Sequence, residues 1–213
     1  MWDFLAERWV DVLFRGYQHL SLVVQAVALA TVIAIAIAML VTMIPRLAPV
    51  ANALSAMGLT LPAFALLGIL LPIFGIGAVP SVVAVTFYAV LPILRNAVVG
   101  LREVEPTLLE SAEGMGMGPL TRFVRIRLPL AWPVIIAGIR VSAQMSMGVG
   151  AVAAYALGPG LGAYIFTGLA SIGGTNALNH AVVGTLGIVV VALLLDAALA
   201  GLAKITVSKG IRA

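Results

Sequence analysis

Five long apolar stretches constrain the fold of this chain more than any other feature of its sequence. A helix that crosses the hydrocarbon core of a bilayer needs about 20 predominantly apolar residues. Stretches of roughly this length indicate membrane spans at residues 21–43, 59–74, 81–99, 130–155 and 180–203. The sequence therefore predicts an all-α fold, a polytopic bundle of about five transmembrane helices.

The composition agrees with a membrane protein rather than a soluble one. Hydrophobic residues make up 62% of the 213 residues and charged residues only 9%, whereas a soluble domain is about 25% charged. The net charge of +4 would suit a nucleic-acid partner, but the basic residues are not clustered in a polar module. We expect no nucleic-acid partner and interpret these residues as the basic side of a membrane protein. The absence of cysteine excludes disulfides and thiolate metal sites.

The distribution of lysine and arginine predicts the orientation in the membrane. Five spans place the two termini on opposite sides, and only Arg8 and Arg15 of the twelve basic residues fall on the N-terminal side. Cytoplasmic loops carry the excess of basic residues in membrane proteins. We therefore expect the N-terminus outside, and the C-terminal tail at residues 204–213 in the cytoplasm.

Three segments outside the spans complete the predicted organisation around a membrane domain of residues 20–203. Residues 1–19 carry aromatic and charged side chains near helical spacing, which indicates an amphipathic helix at the membrane interface; a partly ordered lead-in is the alternative. Residues 44–56 are predicted to form a short loop. Residues 157–179 are glycine-rich and uncharged, so they form either a loose outer loop or a gate that dips back into the membrane.

Residues 101–129 are the one long charged segment between the apolar stretches. A charged side chain at the bilayer centre costs about 2.5–3.5 kcal/mol, so the segment must lie in water, on the cytoplasmic side in the predicted orientation. Glu105-Pro106 predicts the start of a helix, because proline is tolerated at the first helical position. Glycines then break this helix, Pro119 opens a second short helix, and Pro129 ends it. Such a knob suits docking into a partner's groove; a plain loop on the lipid headgroups is the alternative.

This segment resembles the EAA signature of the membrane subunits of ATP-binding-cassette (ABC) importers. The matching positions are Glu110, Ser111, Ala112, Gly116, Ile126, Leu128 and Pro129. The one departure is Ser111, which stands where the signature has its first alanine. The resemblance implies a coupling helix that inserts into a cleft of a separate ATPase subunit. The chain has no phosphate-binding loop of the G-x-x-x-x-G-K-[ST] type, so we expect ATP hydrolysis by that partner and no enzyme activity here.

A wider resemblance links the chain to the osmoprotectant branch of these importers, whose permeases carry glycine betaine, choline, carnitine or proline. It rests on matches at residues 61–68, 88–96, 114–117 and 160–166, and extends over about residues 20–203. The resemblance implies the five-span, MetI-like fold of type I importer permeases, in the bacterial inner membrane. It also implies a second permease, which is a copy of this chain or a related one, and an extracytoplasmic substrate-binding protein.

The resemblance has a consequence for the glycine-rich segment at residues 157–179. In this fold, the segment between the last two core helices closes the path on the outer side. The gate alternative is therefore the one that the resemblance favours. We expect the gate residues to be Gly158, Gly160 and Gly162.

One acidic residue, Asp196, lies inside the last predicted span, where an ionisable group is expensive and usually paired. Arg95 and Arg140 also lie near the inner ends of spans, and we expect a structural ion pair of Asp196 with one of them. A role in transport and an unpaired carboxylate that reaches the inner interface are the alternatives. His19 and His180 are isolated and near predicted interfaces, so we expect no metal site, acid-base site or cofactor.

Three other functions remain open at this point. The same fold could carry an amino acid such as methionine, with unchanged coupling residues. A passive channel or a membrane anchor would need no ATPase, and the EAA-like segment argues against both. A membrane-embedded enzyme is the most distant alternative, because the sequence contains no catalytic constellation.

Overall fold

The computed structural model describes residues 1–207, which contain helices and turns but no β-strand. The all-α prediction is therefore confirmed. The end of the predicted tail, with Lys209 and Arg212, lies outside the described residues. The elements in chain order are α1 (Trp2–Met43), α2 (Leu47–Thr60), α3 (Ala63–Phe74), α4 (Ala78–Arg102), α5 (Pro106–Gly114), α6 (Pro119–Arg122), a π-helical turn (Phe123–Arg127), α7 (Leu128–Ala153), a 3₁₀ turn (Ala154–Ala156), α8 (Gly162–Ala170) and α9 (Ala177–Thr206).

Four stretches in the described part of the chain are long and apolar enough to cross a membrane as single helices. They are α1, α4, α9 and the continuous helical stretch Pro119–Ala156. The pair α2 and α3 would make a fifth span, bent by 94° between its two helices. This number agrees with the predicted bundle of about five spans.

Residues 44–56 are mostly helical, so the prediction of a short loop there is wrong. Only residues 44–46 separate α1 from α2. Pro45 precedes α2, and Pro49 lies in its first turn. The first N–H groups of a helix have no intrahelical acceptor, so Pro49 removes no hydrogen bond. Both prolines are therefore compatible with a helix that begins at Leu47.

The break in the predicted second span, residues 59–74, occurs at Pro62. Leu61 has an extended backbone with ψ of 126°, because proline disfavours the helical conformation in the residue before it. The Leu61 carbonyl accepts a hydrogen bond from the hydroxyl of Tyr88 on α4. The backbone group that the bend frees is thus satisfied by a neighbouring helix, as buried backbone groups must be.

The first helix, α1, is longer than a span requires. Its 42 residues extend over about 63 Å at a rise of about 1.5 Å per residue, twice the thickness of a hydrocarbon core, which is about 30 Å. Residues 2–19 are helical, as one of the two predictions had it, and continue into the first span without a break. Their location at a membrane interface stays a prediction.

Pro129 does not end a helix, so that part of the prediction for the charged segment is wrong. The residue lies in the first turn of α7, directly after a π-helical turn, and the helix continues through it. Immediately before it, the π-helical turn closes with a hydrogen bond from the Leu128 N–H to the Phe123 carbonyl. The second short helix therefore passes directly into α7 instead of stopping before it.

The centre of the bundle is α4, which packs most extensively against α7 and α1. Small side chains make these contacts close, as in other membrane helix pairs. A Cβ atom added to Gly138 of α7 would lie 2.6 Å from the Cβ atom of Asn96. In the same interface, the buried Ser142 hydroxyl donates a hydrogen bond of 2.8 Å to the Ala89 carbonyl. The fully buried face of α1 consists largely of alanines at intervals of four, Ala26, Ala30, Ala34 and Ala38.

Candidate functional site

The charged segment begins with a short helix whose two ends follow the sequence signals. Glu105 is the N-cap residue and Pro106 is at the first helical position, as predicted. At the other end, the Met117 N–H donates to the Ala112 carbonyl at 3.0 Å, and the Gly116 N–H donates to the Glu113 carbonyl at 2.8 Å. These two bonds are those of a Schellman motif. Gly116 has φ of +82°, a conformation that favours glycine.

The Glu-Ser-Ala triplet at the end of α5 divides into an anchored and an exposed part. Ala112 is fully buried and leaves no space for a larger side chain without displacing the helix. Glu110 and Ser111 are exposed, and the Ser111 hydroxyl donates only within α5, to the Thr107 carbonyl at 2.8 Å. The triplet therefore buries Ala112 and presents Glu110 outward.

Two arginines form contacts within and beside the charged segment, one with α5 and one with α4. Arg122, beside the π-helical turn, forms an ion pair with Glu113 of α5. Arg127 donates a hydrogen bond from Nε to the Leu101 carbonyl of α4 at 2.9 Å. The predicted signature residues Ile126 and Leu128 are half-buried in the same region, while Pro129 is exposed. The charged segment thus contacts α4 and passes covalently into α7.

The surface of the charged segment combines a cavity with exposed apolar side chains. A cavity of about 310 Å³ lies between the end of α1 and this segment, lined by Met39, Thr42, Met43, Leu109, Pro119, Arg122, Phe123 and Arg127. Exposed apolar side chains lie on the same segment, at Leu108, Met115, Leu120 and Val124. Apolar side chains set among exposed charges are typical of a protein-docking surface.

The three predicted gate glycines occupy positions where the chain packs tightly against other helices. A Cβ atom would lie 2.2 Å from Ser81 Oγ at Gly158, 2.7 Å from His19 Nδ1 at Gly160 and 2.2 Å from the Ala151 carbonyl oxygen at Gly162. Real Cβ atoms essentially never approach other atoms so closely. Residues 157–161, the turn that connects α7 to α8, therefore rest directly on α4, α1 and α7. We call them the outer turn, after the predicted orientation.

His19 is the residue in this region that sequence reasoning missed. It is fully buried, its Nε2 atom lies 3.2 Å from the Met147 carbonyl oxygen, and its ring lies 3.3 Å from the position of a Cβ on Gly150. His19 is therefore packed among other residues rather than isolated, while its position near a membrane interface stays a prediction. Its contacts are with residues more than 100 positions later, so a single sequence carries no local signal for them.

Asp196 is held by an arginine of α7. Arg140 donates from Nε and Nη2 to the two carboxylate oxygens of Asp196, at 2.9 and 2.8 Å. Gln144, one turn later, donates to the same carboxylate at 3.1 Å. Arg95, the other predicted candidate, is exposed and makes no contact with Asp196. The two-point geometry is the strong form of an arginine–carboxylate pair, and it joins α7 to α9.

Comparison with known proteins gives the family. The family model described as "binding-protein-dependent transport system inner membrane component" matches residues 30–206. The chain belongs to this family. The permease is also similar to a chain of the solved inward-facing MetNI methionine ABC transporter, with a TM-score of 0.78 and 21% identity over 92% of this chain and 96% of that one. This likeness confirms the predicted MetI-like fold.

Curated relatives of the permease share more of its sequence. It is 40% identical to the choline transport system permease protein OpuBB of Bacillus subtilis, over 78% of this chain and 77% of the relative. It is 33% identical to the glycine betaine/carnitine/choline permease OpuCB of Bacillus subtilis, over 100% and 96%. With the osmoprotectant import permease OsmW of Salmonella typhimurium the identity is 36%, over 92% of each chain. The resemblance to the osmoprotectant branch of ABC importer permeases is thereby confirmed.

Proposed function

We propose that this permease forms the translocation path of an ATP-driven importer for a small osmoprotectant such as glycine betaine, choline, carnitine or proline. The observation that carries the proposal is the similarity, over nearly the whole chain, to permeases named for glycine betaine, carnitine and choline or for osmoprotectants in general. The path requires a second permease, which is a copy of this chain or a related one. An extracytoplasmic binding protein delivers the solute, and a separate ATPase subunit hydrolyses ATP.

The geometry of the charged segment and its EAA-like residues support a coupling role. In the proposed orientation, with the N-terminus outside and the C-terminus in the cytoplasm, the exposed face of α5 enters a cleft of the ATPase. When ATP draws two ATPase subunits together, α5 moves with them. The ion pair of Arg122 with Glu113 and the hydrogen bond of Arg127 to Leu101 carry that movement to α7 and α4.

An amino acid such as methionine is the second candidate solute. It is supported by the similarity in fold to a chain of the MetNI methionine transporter. That likeness concerns the fold, because the two chains are only 21% identical, whereas the osmoprotectant permeases above are 33–40% identical. A passive channel would not require a docking surface for an ATPase, so the surface of the charged segment argues against a passive channel.

Substitution of two neighbouring glycines distinguishes loss of the coupling role from a general loss of structure. Gly116 has φ of +82°, whereas Gly118 has φ of −67° and ψ of 164°, a conformation that valine adopts readily. Gly116→Val should therefore distort the turn after α5, while Gly118→Val should not. We expect that Gly116→Val reduces the ATPase that co-purifies from detergent-solubilised membranes, and that Gly118→Val retains it. Equal retention in both variants would contradict the coupling role.

The solute is tested with the complete transporter reconstituted in proteoliposomes. ATP hydrolysis is measured with the binding protein and either choline, glycine betaine, carnitine, proline or methionine. We expect stimulation by at least one of the four osmoprotectants and none by methionine. Stimulation by methionine alone would favour the amino-acid alternative, and uptake without the ATPase subunit would favour a passive channel.

A further inference from the structure

Three aromatic rings from three different elements converge beside the outer turn. They belong to Phe64 of α3, Tyr155 of the 3₁₀ turn and Phe166 of α8. The centroid of the Phe64 ring lies 5.4 Å from that of Tyr155 and 6.3 Å from that of Phe166. The centroids of the Tyr155 and Phe166 rings are 5.5 Å apart. The plane of the Phe64 ring is at 83° to that of the Tyr155 ring and at 85° to that of the Phe166 ring. We call these three residues the aromatic cluster.

A second group of aromatic rings, elsewhere in the molecule, differs from the aromatic cluster because cations of the chain lie over its rings. Phe4 and Tyr164 also pack edge to face, but there the chain supplies cations. The guanidinium of Arg8 lies 5.0 Å from the centre of the Phe4 ring, and that of Arg15 lies 5.7 Å from the centre of the Tyr164 ring. Within residues 1–207, no guanidinium or ammonium group lies over a ring of the aromatic cluster.

The aromatic cluster is also open and surrounded by uncharged chain. Phe64 is 51% exposed and Tyr155 is 64% exposed, and the Tyr155 hydroxyl has no hydrogen-bond partner in the part of the chain that the structure describes. Neither α3 nor residues 157–179 contain a charged side chain. A ligand that reaches these rings therefore meets no charged side chain from α3 or from residues 157–179.

These features match the chemistry of a quaternary ammonium group. Such a group carries a positive charge but no N–H, so it cannot donate a conventional hydrogen bond. Aromatic faces within about 6 Å attract it electrostatically, and several rings together are the usual protein solution. Rings of Phe and Tyr without a cation of their own are therefore better suited to this ligand than to an amino acid with a primary ammonium group, which requires acceptors.

We propose that Phe64, Tyr155 and Phe166 form a subsite for the quaternary ammonium group of the transported solute, next to the outer turn. This proposal rests on the proposed osmoprotectant function and adds the residues that would recognise the solute inside the permease. Tyr155 precedes the outer turn and Phe166 follows it on α8. An occupied subsite would therefore bridge α3 and both elements that flank the turn.

The test measures binding of choline directly to the permease–ATPase complex, purified in a maltoside detergent without the binding protein. Saturation-transfer NMR on the choline methyl protons detects weak binding and gives Kd by titration. We expect Phe64→Leu, Tyr155→Leu and Phe166→Leu each to raise Kd by about 3- to 30-fold, the range for loss of one cation–π contact. Tyr155→Phe should bind normally, because the ring is retained.

Two controls separate charge recognition from apolar contact. Phe74→Leu removes an exposed ring of α3 that takes part in none of the ring pairs of the aromatic cluster, and it should leave Kd unchanged. The neutral carbon isostere 3,3-dimethyl-1-butanol should bind the wild type more weakly than choline does. The leucine variants should lose this preference.

The outcomes distinguish this proposal from the proposed function. Choline binding that is equal in the wild type and in the leucine variants would overturn the subsite, even if the transporter takes up choline. Failure of the leucine variants to assemble with a second permease, with Tyr155→Phe normal, would show that the rings pack against another subunit and would also overturn it. Ring-dependent binding without uptake of any osmoprotectant would support the subsite and contradict the proposed function.

Discussion

Gly160→Ala offers the sharpest test of how the outer turn is held. Gly160 has φ of +121°, so an alanine there would be strained in any surroundings. Its Cβ atom would also lie 2.7 Å from Nδ1, 2.9 Å from Cβ and 3.0 Å from Cα of His19. The Cα belongs to the backbone of α1, which cannot move aside like the end of a flexible side chain. Strain and collision should therefore act together.

The expected magnitude follows from these two contributions. An unfavourable backbone conformation costs about 1–3 kcal/mol, and overpacking a closely packed site costs about 1–3 kcal/mol more. We therefore expect Gly160→Ala to destabilise the permease by about 2–6 kcal/mol. Two other glycines isolate the contributions, because neither has an atom within 4 Å of an added Cβ: Gly173, with φ of +89°, and Gly148, inside α7.

The assay is unfolding of the purified permease in detergent, followed through its three tryptophans. Gly173→Ala should show the strain alone, about 1–3 kcal/mol. Gly148→Ala should be neutral or slightly stabilising, since alanine is the better helix former. If Gly160→Ala and Gly173→Ala were equally stable, the collision with His19 would be refuted, and with it the view that the outer turn rests on α1.

Three further predictions concern contacts between helices. Gly138→Ala should destabilise the permease by about 1–3 kcal/mol, because its Cβ atom would lie 2.6 Å from a side chain of α4. Gly68→Ala, whose Cβ atom would meet no atom within 4 Å, should be neutral in the same unfolding assay. Asp196→Leu should destabilise more than Asp196→Leu combined with Arg140→Met, since the single variant leaves an unpaired charge in the bundle; the reverse order would contradict a structural pair. Ala112→Leu should lower ATPase co-purification at least threefold by displacing α5, without loss of folded permease by size-exclusion chromatography.

The spans and the start of α5 could be predicted from the sequence because their signals are local. Apolar length marks the spans, and Glu105-Pro106 marks a helix start by the same rule that holds in soluble proteins. Gly116 was visible as a break, although its role as the positive-φ residue of a Schellman motif required the backbone. These features depend on a few neighbouring residues, which a single sequence contains in full.

The wrong predictions concern proline, which begins a helix at some positions and interrupts a helix at others. Residues 44–56 are predicted to form a loop, yet Pro49 lies in the first turn of α2, where the N–H groups have no intrahelical acceptor. Pro129 is predicted to end a helix, yet it follows a π-helical turn inside a continuous helical stretch. Pro62 does break a helix, and the difference is that its neighbour Leu61 has the Tyr88 hydroxyl as an alternative partner for its carbonyl. Whether a proline starts or interrupts a helix thus depends on long-range contacts that periodicity does not encode.

The position of His19 explains how the two ends of the permease can be connected through one helix. Near its first residue, α7 follows Arg127, which is bound to α4. Near its last turn, the Met147 carbonyl and Gly150 contact His19, which also bears on Gly160 of the outer turn. The 26 residues of α7 extend over about 39 Å at about 1.5 Å per residue. A π-helical turn, which often marks a functional site within a helix, lies at the end next to α5. In the proposed coupling role, a movement of α5 would therefore have a continuous helical route to the outer turn.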